Sequence, residues 1–97
     1  MPTYVTLVKY TQKGVESITR TPDRLDAARE AARAVGGEIK AFYLVMGHYD
    51  AVVVLEAPDD ASVALTMLAT GMQGNVRTET LRAFTEDEFR RIVAALP

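Results

Sequence analysis

The chain has no cysteine among its 97 residues. That absence removes disulfides, thiol nucleophiles and thiolate metal sites together. Histidine occurs once, and a zinc site wants three or four ligands. Carboxylates alone hold Mg²⁺ only weakly, and the adjacent pair Asp59 and Asp60 reads better as helix-cap chemistry. We therefore expect no metal and no bound cofactor. Long apolar runs are also missing. No stretch of 18 apolar residues exists, so no transmembrane helix and no membrane partner are expected. The opening "MPTYVTLVKY" has neither the basic flank nor the apolar core of a signal peptide, which points to the cytoplasm. Positive charge is not in excess: 11 Lys and Arg face 13 Asp and Glu, a net charge of −2. Such a surface does not favour phosphate backbones, so nucleic acid is not an expected partner.

What is present is an ordinary globular profile, 48% hydrophobic and 25% charged,. A chain of this length makes one domain, residues 1–97, and hides roughly 60–68% of its unfolded surface. "TYVTLVKY" at 3–10 mixes β-branched and aromatic residues and reads as a strand. "TQKGVESITRT" is polar with one Gly, a loop or a single short turn. Thr21 and Pro22 read as a cap followed by Pro at the first helical position. The helix after them places Leu25, Ala28, Ala32 and Val35 on one stripe. Asp26–Arg29 and Glu30–Arg33 pair along its solvent side, and Gly36–Gly37 end it.

"EIKAFYLVM" is a second strand that turns at "GHYD" into a third, "AVVVLEA". Asp59 caps a second long helix whose expected apolar stripe is Ala61, Ala64, Leu65 and Leu68. Gly71 and Gly74 break it, and "NVRTETLRAF" is a fourth strand. "TEDE" at 85–88 has the capping-box pattern, with Phe84 and Phe89 placed as a hydrophobic staple. A short C-terminal helix should run from Glu86 to about Ala95. The order β-α-β-β-α-β-α is that of two split βαβ units joined by a hairpin. The expected fold is α+β, a ferredoxin-like βαββαβ sandwich with a short extra C-terminal helix. Its sheet order should be 4-1-3-2, antiparallel, with both long helices on one face.

The sheet then has a second face, and it is apolar. "AVVVL" at 51–55 is apolar in both directions, as is "AFYLVM" at 41–46, where a half-solvated strand alternates. Two helices cover one face. Monomers rarely expose a contiguous apolar patch of the size left over. A second copy of the sheet is the simplest cover, so a homodimer or higher oligomer is expected.

"GHYDAVVVLEAPDD" resembles the signature of GYD-domain proteins, small bacterial proteins named after a Gly-x-Tyr-Asp-type motif. "LVKYTQKG", "PDRLDAAREAARAVGGEIKAFY" and "GNVRTETLRAFTEDEF" are also similar to that family, and together they span most of the chain. The resemblance implies a ferredoxin-like fold of the dimeric α/β-barrel kind. It carries no established reaction and so no catalytic residues. His48 stands at the variable position of the motif. The chain also resembles, more weakly, the ligand-binding domains of leucine-responsive-type regulators, which share the fold and a Gly-x-Tyr/Phe-Asp hairpin. It has no DNA-binding helix-turn-helix.

The topology gathers three connections at one end: Lys13–Arg20, Gly47–Asp50 and Gly71–Gly74. Function usually sits on such loops. Six residues there or on the adjoining strands are candidates for a small-molecule ligand: Lys13, Tyr43, His48, Tyr49, Asp50 and Arg77. His48 is chemically a general base or, more blandly, an exposed turn residue. Asp50 either orients a substrate or bonds its own turn, as Asp side chains do. Tyr43 and Tyr49 either line a pocket or pack as core or interface. Gly47 reads as a positive-φ turn residue, not a phosphate contact. Arg24, a cation in the first turn of a helix, opposes the helix dipole and should have a partner. Two readings follow. One is a homo-oligomeric module that binds a small ligand or another protein. The other is a cofactor-independent enzyme, oxygenase- or isomerase-like, which needs His48, Tyr49 or Asp50 pointing into an apolar pocket.

Overall fold

The β-branched runs do become strands, and the caps at Asp59 and Thr85 do start helices. The computed structural model describes residues 1–97. Its elements are β1 (Thr3–Tyr10), α1 (Gln12–Glu16), a 3-10 turn (Ile18–Arg20), α2 (Thr21–Ala34), β2 (Glu38–Leu44), β3 (Ala51–Glu56), α3 (Asp60–Met72), β4 (Val76–Ala83) and α4 (Glu86–Ala94). The strands form one antiparallel sheet in the order β2-β3-β1-β4. This is the expected ferredoxin-like α+β arrangement with its additional C-terminal helix.

Register decides which side chains share a face, because strand side chains alternate. Tyr4, Thr6 and Val8 of β1 stand opposite Leu55, Val53 and Ala51 of β3. Beside them β2 presents Ile39, Phe42 and Leu44, a spacing allowed by a register shift between Ile39 and Ala41. The extra residue at Lys40 flips the alternation, so both apolar halves of β2 reach this face. α2 and α3 lie over it. The core is Tyr4, Leu55, Ala57 and Val63, with Ile39, Val53 and Met67 packed against it.

Four local expectations need correction. Thr21 is not the cap of α2. It is itself helical (φ −55°, ψ −44°) and its N–H donates to Ile18 O. The 3-10 turn runs straight into the helix, so no extended residue precedes it and the cap position falls on Arg20, whose side chain makes no capping bond. The segment after β1 is more than a turn: Thr11 caps α1 by accepting from Gly14 N at 3.2 Å. Glu30 and Arg33 pair at 3.2 Å, but Arg29 donates to Ile39 O instead of pairing with Asp26. Finally, α3 presents a different face to the sheet. Val63 and Thr66 are buried, whereas Leu65 and Leu68 are 61% and 69% exposed.

The reason lies in the threonines. Thr66 Oγ1 donates to Ser62 O and Thr70 Oγ1 to Thr66 O, both at 2.9 Å. Their hydroxyls are satisfied within the helix, which lets threonine serve as a core residue. The leucine stripe is left pointing outward.

The caps make a pH prediction. Asp59 accepts from Ser62 N at 2.8 Å, and that backbone bond chiefly holds its carboxyl below the ordinary value. Glu88 accepts from Thr85 N at 2.9 Å, and the same kind of bond lowers its pKa too. Both groups bind protons more weakly folded than unfolded. Their stabilisation is therefore complete above the unfolded values, about 3.9 for Asp and 4.3 for Glu, and is lost as pH falls through the folded ones. Melting temperature measured from pH 7 to pH 3 should fall in the acid range. The fall should be shallower in Asp59→Asn, which no longer titrates there.

Besides the outward stripe of α3, two more surfaces are left without a partner in the chain. On the open face of the sheet, Val5 and Leu7 stand against Val54 and Val52, flanked by Ala41, Tyr43 and Leu81. No helix covers them, and Tyr43 is 60% exposed. α4 carries Phe89, Ile92 and Val93, with Leu96 just beyond, at the 3-and-4 spacing of an amphipathic helix. None of its residues is buried. The radius of gyration is 14.6 Å, above the ~12.5 Å expected for a compact chain of this length. α4, which buries no residue, adds length without adding core.

Candidate functional site

Three connections meet at one end of the sheet, as the topology requires, and hydrogen bonds sew them together. Thr11 N donates to Asn75 O at 3.0 Å, and Thr11 Oγ1 donates to Gly74 O at 2.6 Å. Lys13 Nζ donates to Gln73 O at 2.8 Å, a cation at a helix C-terminus where the dipole favours it. The hairpin joins from the other side. Asp50 N donates to Val8 O at 2.8 Å, and Val45 N to Asp50 O at 2.9 Å.

Each candidate side chain at this end has an assignable position. Asp50 Oδ2 accepts from Tyr10 N at 2.8 Å, so it closes the last donor of β1. Gly47 has φ 145°, a turn conformation that glycine adopts without strain. His48 is exposed, and its carbonyl accepts from Lys9 Nζ at 3.3 Å. Tyr49 reaches the open face, where its hydroxyl donates to Glu79 Oε2 at 2.5 Å. That bond, more than burial, raises the pKa of Tyr49. Tyr43 lies on the same open face, and Arg77 stands opposite Lys9 on it. None of the six candidates lines any of the three main concavities of the chain.

Asp50 gives a direct test. Removing a carboxylate that satisfies a backbone N–H costs about 2 kcal/mol when the donor stays buried. Asp50→Ala should lower the urea midpoint accordingly, while Asp50→Asn, which keeps an acceptor, should lose about half as much.

An apolar concavity lies elsewhere, between the sheet and α2 and α3. It is a cavity of about 120 Å³. Thr6, Val8, Phe42, Val53, Leu25 and Met67 form much of its wall, and of titratable groups only Tyr10 and Arg24 border it. Arg24 has the partner its position demands: Nη2 donates to Ser17 Oγ at 2.6 Å and Nη1 to Ser17 O at 3.3 Å. Thr21 Oγ1, also on the cavity wall, is buried with no hydrogen-bond partner. A second cleft, between α3 and β4, holds Tyr4, Asp60, Thr80 and Arg82. Tyr4 donates its hydroxyl to Asp60, which is the main reason its pKa is raised. The Arg82 guanidinium sits 4.5 Å from the Phe84 ring centre. No group of three or more His, Asp or Glu side chains is arranged to hold a metal ion, and no helix is long and apolar enough to cross a membrane.

Sequence reasoning misses the cavity residues because most are Val, Ala and Thr, which carry no chemical signature. Only Arg24 is conspicuous, through its misfit with the helix dipole.

The GYD domain model matches residues 4–93. The chain belongs to the GYD-domain family. Within that family its "GHYD" segment is Gly47–Asp50. A relative from Thermus thermophilus, named "Glutamine synthetase and cystathionine beta-lyase binding protein", is 40% identical over 84 residues, covering 86% of this chain and 88% of its own. Among solved structures, FFRP-DM1 superposes with a TM-score of 0.59 at 19% identity, covering 87% of this chain and all of that one. A hypothetical protein of Pyrococcus horikoshii superposes at 0.54 with 22% identity, covering 89% and 93%. At those identities the two structures speak for the fold alone.

Proposed function

We propose that this GYD-domain protein is a homo-oligomeric interaction module that docks onto metabolic enzymes. The observation that carries the reading is a pair of unpartnered apolar surfaces on opposite sides of one small domain. The open sheet face, with Val5, Leu7, Val52 and Val54 at its centre, is self-complementary in kind and suits a second copy. The exposed α4 stripe is a further apolar surface. On the far side of the molecule, α3 turns Leu65, Leu68 and Met72 outward, Met72 being 87% exposed. Monomeric surfaces rarely leave such groups together without a binding role. The name of the Thermus relative supports a protein partner, with glutamine synthetase and cystathionine beta-lyase as the first enzymes to try.

The enzyme reading has less support. An oxygenase- or isomerase-like reaction needs His48, Tyr49 or Asp50 in an apolar pocket, and none of the three borders the cavity.

The test is titration of glutamine synthetase and cystathionine beta-lyase from the same cell with this protein, read by light scattering or calorimetry. A complex with either enzyme is expected. Leu68→Asp should weaken it at least tenfold, since a charge placed in a desolvated contact costs well over about 1.4 kcal/mol. Absence of any complex with both enzymes removes the reading.

A further inference from the structure

We propose that the cavity beneath α2 and α3 binds a small apolar carboxylic acid, with its hydrocarbon body inside and its carboxylate at Arg24. The inference is separate from docking onto enzymes and stands on different residues.

Three observations lead to it. The first is size. The cavity is about 120 Å³, and a cavity of ~150 Å³ lined by apolar side chains holds benzene. A body of about six carbons is therefore the right scale. The second is the wall. Val8, Leu25, Ile39, Phe42 and Val53 give it aliphatic and aromatic surface, and Thr66 and Thr70 spend their hydroxyls on helix carbonyls. Such a wall selects hydrocarbon.

The third is the mouth. A cleft of similar volume between α2 and α3 shares Arg24, Ala28, Thr66, Thr70 and Val76 with the cavity. The two spaces therefore adjoin, and Arg24 stands where they meet. Its guanidinium gives two N–H groups to Ser17 and has five in all. Three donors remain, held in place by the Ser17 anchor. No carboxylate pairs with Arg24: the ion pairs of the chain are Arg20–Asp23, Arg33–Glu30, Lys40 with Glu38 and Glu56, and Arg90–Glu86. Beside it Thr21 Oγ1 is buried and unbonded. Buried polar atoms are normally bonded, and a carboxylate oxygen accepts from both a threonine hydroxyl and a guanidinium. An anchored arginine next to an orphaned hydroxyl, at the edge of an apolar hole, is the arrangement that a hydrocarbon acid fits.

The experiment is calorimetric titration of the intact protein with benzoate, hexanoate and 1-hexanol at neutral pH. One molecule of benzoate or hexanoate should bind per chain. Arg24→Gln should weaken acid binding roughly ten- to hundred-fold, the range of a charge-assisted hydrogen bond, and leave hexanol unchanged. Ala28→Leu fills the junction and should abolish binding of all three; Ala28→Val takes its place if the leucine variant does not fold. The proposal is overturned if neither acid saturates. It is also overturned if Arg24→Gln binds acids as wild type does, if hexanol alone binds, or if a folded Ala28 variant retains wild-type affinity. Failure here leaves the enzyme-docking result untouched, because that titration needs no small ligand.

Discussion

Gly14→Ala should lower the melting temperature by roughly 10–20 °C, the equivalent of about 2.5 kcal/mol in a domain of this size. A methyl group at position 14 would lie 2.1 Å from Asn75 O and 3.3 Å from the Tyr10 ring. The nearer atom is backbone, so no rotamer change relieves the clash. That carbonyl is also the acceptor for Thr11 N. Pushing it away breaks the stitch between the β1 exit and the α3–β4 loop. Gly47→Ala is the contrast. Nothing lies within 4 Å of a Cβ there, and only its φ of 145° resists substitution. Its cost should be conformational strain of about 1–2 kcal/mol, without disturbance of the other loops. Thermal melts of the two variants decide the matter. Equal stability of Gly14→Ala and wild type would show that these two connections are not rigidly joined.

That stitch is only half legible in the sequence. The strands, their order and the meeting of three connections at one end follow from composition and topology, because split βαβ units leave few alternatives. The capping box at Thr85–Glu88 is readable for the same reason that it works: its spacing lets two backbone donors be satisfied reciprocally,. What escapes is anything set by tertiary choice between equivalent local options. α3 is apolar on most sides, so periodicity does not say which side meets the sheet. The structure buries Val63 and Thr66, half-buries Met67 and exposes Leu65 and Leu68, the reverse of what residue size suggests. Thr21 resembles a cap because nothing in "ITRTP" announces that a 3-10 turn continues into the helix. "GHYD" attracts chemical attention because it holds the lone histidine. Its Asp instead closes the end of β1 and its Tyr reaches across to Glu79. The cavity is built from side chains that any core would use, and only Arg24 betrays it.

The largest change in assembly should come from Val54→Arg. On the proposed reading the open faces of two copies meet, and Val54 lies at the centre of that face, beside Val5 on β1 and Ala41 on β2. A two-fold contact presents every substitution twice. Each arginine would be buried without a partner, at about 3–5 kcal/mol apiece, so the dissociation constant should rise by more than about a thousandfold. Sedimentation equilibrium should then find a species at the chain mass of 10.6 kDa where the wild type is at least twice that. The far-UV spectrum should not change, since Val54 is not part of the Tyr4–Leu55–Ala57–Val63 core. Leu68→Asp, on the outward side of α3, should keep the wild-type mass. A monomeric wild type would leave the sheet face without a second copy to cover it. A Val54→Arg protein that stays assembled would move the contact to α4, where Phe89 and Ile92 offer the next apolar surface. The same variants separate assembly from docking. If Val54→Arg loses its enzyme partner while Leu68 is intact, the module works only as an oligomer, its affinity drawn from two α3 faces acting together.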